Sequence, residues 1–249
     1  DLTSIGNFGE GPEEITVMGC LAIDEAHHQL YVSDHAKQKI FSYDMDSVMV
    51  DSLYKPQVKT AMNETLFPSE YQYINDTLSI AVLIKPTSTS TFNQFLGRWN
   101  MNTGEMIPMK YTHPDIQKKR ITFAASEKAG IYVECYTRHD LMTICSLDGE
   151  LLYNIYGPDW DGGNGNKLQS FGTVMIGNDK IFVSYCGEDY ARDSFPTKIL
   201  VFDLEGNYLK TLETGYKISD CCYDSFNNRI ILSLNDVVQF AYLDIDGII

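Results

Sequence analysis

The feature that most constrains this sequence is a short pattern that occurs five times, an apolar strand that runs directly into a polar turn. The five copies span residues 40–47, 96–104, 141–149, 199–206 and 240–247. In four of them a glycine closes the turn, and glycine adopts without a steric clash the positive φ that a tight hairpin needs. The pattern therefore predicts five tight turns of one kind.

The spacing of these turns predicts the fold class. They follow one another at intervals of about 50 residues, an earlier hairpin precedes each copy, and helical periodicity is scarce. Several short strands in each period of this length are typical of a β-propeller. We therefore predict an all-β chain in which residues 1–249 form a single β-propeller domain of four-stranded antiparallel blades, five of them readable. An open or truncated array of blades and a β-sandwich are the alternatives.

The outer strand of each blade is predicted from the apolar residues that follow the repeated turn. Four such strands are expected at residues 48–53, 106–109, 151–155 and 208–212. After the fifth copy only residues 248 and 249 remain, so the last blade lacks its outer strand. We expect the N-terminal residues 2–5 to complete it and close the ring, because closure removes the exposed sheet edge of an open array.

Residues 5–44 resemble a known family. In residues 30–44 the Tyr31-Val32 strand is followed by Asp34, a short polar loop and Lys39 before the next apolar strand, which is similar to an NHL-type propeller repeat. The Gly-rich residues 5–14 resemble the lead-in of bacterial TolB-like, six-bladed propellers from the envelope of Gram-negative anaerobes. The resemblance implies a six-bladed norm, against the five blades read here. It also implies export to the periplasm or cell envelope, in some members as a lipoprotein, and mostly unknown functions.

Charge and composition exclude several function classes. Nineteen Lys and Arg against 34 Asp and Glu give a net charge of −15. Non-specific binding to nucleic acid or to an anionic membrane depends on basic residues, so neither is expected. Residues 118–120, Lys-Lys-Arg, form a basic cluster that is too short for a nucleic-acid patch. The sequence contains no apolar run long enough for a transmembrane segment. The six cysteines lack zinc-site spacing and are expected as core residues.

The length of the predicted loops indicates where function lies. The turns within hairpins are tight, whereas the loops at residues 56–68, 86–93, 113–119, 157–167 and 187–196 are long. Long loops on a rigid scaffold commonly carry binding residues. We therefore expect a non-enzymatic propeller that binds a protein, peptide or glycan on the long-loop face or in the central channel. The alternative is a propeller-type hydrolase or lyase with a divalent cation in that channel.

Seven residues are candidates for a binding site. They are Asp34, His35, Asp159, Trp160, Asp161, Tyr190 and Arg192. Asp34 is also expected to brace its loop by binding backbone N–H groups. The Asp and Asn residues of segment 157–166 have the oxygen ligands of a calcium loop but fail the EF-hand pattern, so no cofactor is predicted and Ca²⁺ remains an alternative. His113 and His139 are expected to stand alone in loops, and the oligomeric state is left open.

Overall fold

The computed structural model describes residues 5–51, 53–164, 168–189 and 194–248. The chain divides into two compact units, residues 1–109 and residues 110–249. The elements of the first unit are β1 (Met18–Asp24), β2 (Gln29–Asp34), β3 (Lys39–Asp44), α1 (Met45–Val50), β4 (Gln57–Ala61), β5 (Phe67–Asn75), β6 (Leu78–Pro86), β7 (Phe92–Trp99) and β8 (Met106–Pro108).

In the second unit, all the regular elements among the described residues are strands. These are β9 (Ile121–Ser126), β10 (Ile131–Tyr136), β11 (Leu141–Ser146), β12 (Leu151–Tyr156), β13 (Leu168–Gly177), β14 (Lys180–Asp189), β15 (Lys198–Asp203), β16 (Tyr208–Glu213), β17 (Ile218–Asp224), β18 (Arg229–Leu234) and β19 (Phe240–Asp244).

The described strands pair into five antiparallel sheets, in which each strand lies beside its neighbours in the sequence. The first unit holds the sheets β1-β2-β3-β4 and β5-β6-β7-β8. The second unit holds β9-β10-β11-β12, β13-β14-β15-β16 and the three-stranded sheet β17-β18-β19. These are the blades of a β-propeller, and the predicted all-β fold class is confirmed. The last sheet lacks an outer strand among the described residues, as predicted. The proposed closure by residues 2–5 falls largely outside the described residues and stays a prediction.

The middle strands of the blades carry the core. In β10 all six residues are buried, so the strand is covered on both faces, and Glu134 is its one charged residue. Its partner on the outer side, β11, is buried over five of six residues, whereas β12 at the edge is largely exposed. Val133 of β10 packs in one cluster with Val183 of β14 and Phe202 of β15. Each such side chain contributes about 1.5–3 kcal/mol by leaving water, so neighbouring blades hold one another in place.

The outer strand predicted at residues 48–53 is wrong. Residues 48–50 form the end of α1. The outer strand is β4, which lies inside the segment 56–68 that we expected to be a loop. The side chain of Asp44 accepts a hydrogen bond from the N–H of Ser47 at 2.7 Å and caps the helix. This copy of the repeated turn has no glycine, so an N-cap forms where the other four copies form a hairpin turn. The other three outer strands are confirmed as β8, β12 and β16.

The repeated glycine turns have the predicted conformation. Gly104, Gly149, Gly206 and Gly247 all have positive φ, between +73° and +87°. The expectation of core cysteines holds for four of the six, which are buried, whereas Cys20 is partly buried and Cys222 is exposed; all six are free thiols. Among the described residues there is no helix with the length and apolar character needed to cross a membrane.

Candidate functional site

Three connecting segments of the second unit meet around a cavity of about 590 Å³. They are residues 113–120 before β9, residues 137–140 between β10 and β11, and residues 157–164 after β12. The lining includes Asp115, Lys118, Arg120, Arg138, His139 and Asn164. Two of the predicted long loops therefore come together here.

The basic cluster at residues 118–120 divides between the cavity and the interior. Lys118 and Arg120 line the cavity, whereas Lys119 points inward and lies 2.7 Å from the carboxylate of Glu134. The Lys119 and Glu134 side chains are 7% and 1% exposed. The hydroxyl of Tyr136 donates to the second Glu134 oxygen at 3.2 Å. A buried charge is tolerated when it is paired and hydrogen-bonded, so this pair anchors the basic segment.

The Gly-rich loop is held close to the rest of the site at both ends. The N–H of Gly157 donates to the carbonyl of Asp140 at 2.8 Å, and a Cβ at Gly157 would lie 2.1 Å from the Asp140 carboxylate. Gly163 has a φ of +84°, and a Cβ there would lie 2.4 Å from the carbonyl oxygen of Asp115. Only glycine fits these two close approaches, which bring the loop onto the walls of the cavity.

Asp140 is a buried carboxyl beneath this loop. It is 2% exposed and, counting the described residues, accepts one hydrogen bond, from the N–H of Asp159 at 3.0 Å. Burial raises the pKa of Asp140, the N–H of Asp159 opposes the rise, and the negative charge of Asp159 adds to it. The loop is thus attached to a carboxyl group whose ionised form is disfavoured.

Four aromatic rings pack beside the cavity. Trp160 lies 5.1 Å from Tyr156, 5.4 Å from His113 and 6.1 Å from His139 between ring centroids. The prediction that His113 and His139 stand alone is therefore wrong. The folded loops bring together rings that are far apart in the sequence, and sequence spacing carries no sign of this.

Burial favours the neutral form of the two histidines of this cluster. They are 2% and 7% exposed, and burial lowers the pKa of His113 and of His139. The Nε2 atom of His113 is hydrogen-bonded to the Tyr156 hydroxyl at 3.1 Å. The Nδ1 atom of His139 is buried, has no hydrogen-bond partner within the described residues and lies 3.8 Å from the carboxylate of Asp161. The ring of His139 therefore lies beside a carboxylate as well as in the cavity lining.

A second cavity of about 510 Å³ lies in the same unit. Its lining includes Asp159, Tyr185, Glu188, Lys198 and Lys217. Burial raises the pKa of Tyr185 to about 12, with a further contribution from the charge of Asp140. The loop at 157–164 contributes residues to both cavities and forms a wall of each.

The candidates of the first unit are Asp34 and His35. Asp34 is fully buried and accepts four backbone N–H groups at 2.8–3.2 Å, those of Thr16, Val17, Ala36 and Lys37. Burial raises the pKa of Asp34, but these four hydrogen bonds together outweigh burial and hold the pKa below its usual value. Asp34 thus braces its loop, as expected. The His35 ring packs edge-on against Phe67.

The remaining candidates divide as follows. Asp159, Trp160 and Asp161 share one loop of the second unit, and the carboxylate of Asp161 accepts the N–H of Gly163 at 3.1 Å. Tyr190 and Arg192 lie outside the described residues. No group of three or more His, Cys, Asp or Glu side chains is arranged to hold a metal ion within the described ranges. Binding by the seven residues, and Ca²⁺ at the loop, stay predictions.

Sequence reasoning missed Lys118, Arg120, Arg138 and His139 as cavity residues. The basic cluster at residues 118–120 is evident in the sequence, but its length argues only against a nucleic-acid patch and does not indicate a cavity. A local run of cations in a chain of net charge −15 is itself a signal, because cations held close together repel one another unless the fold or a ligand compensates. Arg138 and His139 carried no such signal, since only the β10–β11 turn brings them to the cavity.

Comparisons with known proteins agree with this architecture. The family model DUF5128, described as a 6-bladed beta-propeller, matches residues 2–83, about a third of the chain. The model's six blades compare with five sheets in the described residues. No curated protein matches.

Three solved structures are similar in fold. A protein of unknown function from Bacteroides caccae is 12% identical with a TM-score of 0.53, and the match covers 92% of this chain and 78% of that one. The extracellular domain of the "putative one component system BT4673" from B. thetaiotaomicron is 13% identical with a TM-score of 0.57, over 93% of this chain and 28% of that one. A chain of the nidogen/laminin complex is 10% identical with a TM-score of 0.59, over 92% of this chain and 76% of that one.

Identities this low show the fold alone. Together with the five antiparallel sheets, they show that this chain is a β-propeller protein.

Proposed function

We propose that this chain is a non-catalytic binding propeller of the cell envelope and that its ligand occupies the 590 Å³ cavity of the second unit. The observation that carries the proposal is the convergence of three connecting segments on one concave, polar space. Its volume lies in the range of about 300–1,000 Å³ that small-ligand sites occupy. The segments are attached to blades whose middle strands are buried, so the site has a rigid support.

The ligand we propose is a small molecule or an exposed part of a glycan, peptide or protein. Trp160 packs against His139 of the cavity lining and against Tyr156, which is 49% exposed, so the aromatic cluster that adjoins the lining has an exposed ring. Partly exposed aromatic rings beside polar groups suit ligands that have both apolar faces and hydrogen-bonding groups. The nidogen/laminin structure, a complex between proteins, adds support for a protein partner as the carrier of the bound group.

Export to the envelope is part of the same proposal. It is supported by the resemblance of residues 5–44 to exported TolB-like and NHL-like propellers and by the similarity to the extracellular domain from B. thetaiotaomicron. Fractionation of the native cells, with an antibody against this chain, tests it. Recovery of the chain in the cytoplasm would contradict the envelope role.

The binding proposal is tested by filling the cavity. Asn164 lines the cavity and is exposed, so Asn164→Trp occupies the space without disturbing the core. The purified chain and this variant are screened on the same glycan and peptide arrays. Lys128→Trp, at an 83% exposed position outside the cavity lining, is the matched control. We expect a ligand that binds the wild type and the control but not Asn164→Trp. A ligand that binds all three equally would show that the cavity is not the site.

A further inference from the structure

The charge of the cavity differs in sign from that of the whole chain. Among the described lining residues, Lys118, Arg120 and Arg138 accompany one carboxylate, that of Asp115, which gives a formal charge of +2 when His139 is neutral. The whole chain carries −15. A concave region lined by one sign of charge focuses the local potential, and it attracts ions of the opposite sign more strongly than isolated surface charges do.

The backbone brings the segments that carry these cations together. The buried Lys119–Glu134 pair anchors the segment between Lys118 and Arg120. Arg138 lies in the short turn between β10 and β11, where the N–H of the neighbouring Thr137 donates to the carbonyl of Arg120 at 3.0 Å. That hydrogen bond ties the two basic segments directly to each other, so the backbone positions of the three cations are fixed relative to one another.

The chemistry of these groups selects an oxyanion. A guanidinium presents a planar fork of N–H donors that matches the oxygens of a carboxylate, phosphate or sulfate, and a lysine ammonium adds a point charge. Asn164 adds an amide at the rim, and the ring of His139 lies in the same wall. We infer that the cavity binds the oxyanion group of a small hydroxylated ligand, an inference that rests on the proposed function.

Asp115 determines which oxyanions fit. Asp115 belongs to the same lining as the three cations, and its backbone N–H donates to the Nδ1 atom of His113 at 3.3 Å. A carboxylate accepts hydrogen bonds and repels a second anionic group. It therefore favours a ligand that carries a hydroxyl donor next to its oxyanion over a bare polyanion. Sugar acids and sugar phosphates have this combination.

The test compares glucose with two of its derivatives that carry an oxyanion, and with an oxyanion that has no sugar. Glucuronate, glucose 6-phosphate, glucose and inorganic phosphate are titrated into the chain by calorimetry at low salt. We expect one or both of the sugar oxyanions to bind at least ten-fold more tightly than glucose, and the two arms tell a carboxylate source from a phosphate source. Glucose binding as tightly as both sugar oxyanions would overturn the inference, and so would inorganic phosphate binding more tightly than either of them.

The variants test the role of the cations. In Lys118→Gln/Arg120→Gln/Arg138→Gln we expect at least a ten-fold loss of affinity. The matched control is Lys128→Gln/Lys180→Gln/Lys210→Gln, which removes three cations of the same unit from outside the cavity lining and should change the affinity less than three-fold. Raising the salt concentration from 0.05 to 0.5 M should weaken binding to the wild type, because these side chains are exposed and screened. Unchanged affinity in the cavity variant would overturn the inference.

Failure of this inference is distinguishable from failure of the proposed function. Suppose that Asn164→Trp abolishes the binding of a neutral array ligand and that the triple cavity variant still binds it. That result supports the proposed function and overturns the oxyanion inference. If Asn164→Trp still binds every ligand of the wild type, both are overturned. Thermal unfolding of each variant is the folding control, and an unfolding temperature equal to that of the wild type shows that a loss of binding is not a loss of folding.

Discussion

A buried aspartate lies at the connection between the second and third strands of one sheet in each unit: Asp34 in the first unit and Asp140 in the second. Among the described residues, Asp34 accepts four backbone N–H groups and Asp140 accepts one. Burial acts on both, yet the pKa of Asp34 lies below its usual value and that of Asp140 lies above it. The number of N–H donors within reach thus decides which protonation state the fold prefers.

The comparison extends to what each loop leaves available. In the first unit, Lys37 donates to the carbonyl oxygens of Gly9, Gly11 and Glu14, so the Gly-rich segment at residues 5–17 is joined to the Asp34 loop. In the second unit, the corresponding loop lies against a cavity whose cations face outward. The polar groups of the first loop bind its own backbone, whereas Arg138 and His139 of the second loop line a cavity.

The largest expected effect on stability comes from comparing two anchoring lysines, Lys119 in the second unit and Lys37 in the first. Lys119→Met leaves the buried Glu134 carboxylate without its partner, and we expect the free energy of unfolding to fall by about 4 kcal/mol. Lys37→Met removes hydrogen bonds to backbone carbonyls and is expected to cost about 1.5 kcal/mol. Urea unfolding of both variants measures the difference. Because an apolar pair replaces a buried ion pair at little cost, Lys119→Met/Glu134→Leu should recover most of the loss. Equal effects of the two single variants would contradict the comparison.

The second prediction concerns Asp34 itself. Asp34→Asn removes the negative charge that four N–H groups share, and we expect a loss of about 3 kcal/mol at pH 7 in urea unfolding. A lowered folded pKa means that this contribution is complete above the unfolded value of about 3.9 and is lost as the pH falls through the folded pKa. The difference between wild type and variant should therefore shrink below pH 4. A difference that stays constant down to pH 2 would contradict the role of the charge.

The third prediction concerns the histidines of the aromatic cluster. Since burial lowers the pKa of His113 and of His139, the unfolded chain takes up protons more readily than the folded one as the pH falls below about 6.5. Their contribution to stability is present above that value and is lost on acidification. We expect the free energy of unfolding to decrease from pH 7 to pH 5 in the wild type, and to decrease less in His113→Gln/His139→Gln. Urea unfolding at the two pH values measures this, and an equal decrease in both proteins would contradict the prediction.

The smallest expected effect is that of Asp140→Asn. The amide oxygen can still accept the N–H of Asp159, and the charge that burial disfavours is gone. A raised folded pKa stabilises the fold at low pH and costs stability as the pH rises through it, so the variant should equal or exceed the wild type at pH 8 by up to about 1 kcal/mol. The advantage should disappear as the pH falls below the raised pKa of Asp140, because the wild-type carboxyl then becomes protonated. A loss as large as that of Asp34→Asn would show that the two aspartates act alike.

Much of the fold was predictable from local sequence. The repeated glycine turns placed the hairpins correctly because a tight turn needs positive φ within a few residues, and no distant contact changes that requirement. The outer strand of the first blade was placed wrongly because Asp44, in a copy without glycine, caps a helix instead. The candidate site was predictable only in part: Trp160 and its loop were identified, whereas Arg138 and His139 were not.

The sequence by itself determined the all-β architecture, the number of readable blades and the missing outer strand of the last sheet among the described residues. These depend on side-chain alternation and turn chemistry, which are local properties of the chain. Only the tertiary structure decided that Lys119 faces inward and Lys118 and Arg120 outward, and that His113, His139 and Trp160 meet. Those arrangements depend on which blade lies beside which loop, because burial and electrostatic environment come from residues that are distant in the chain.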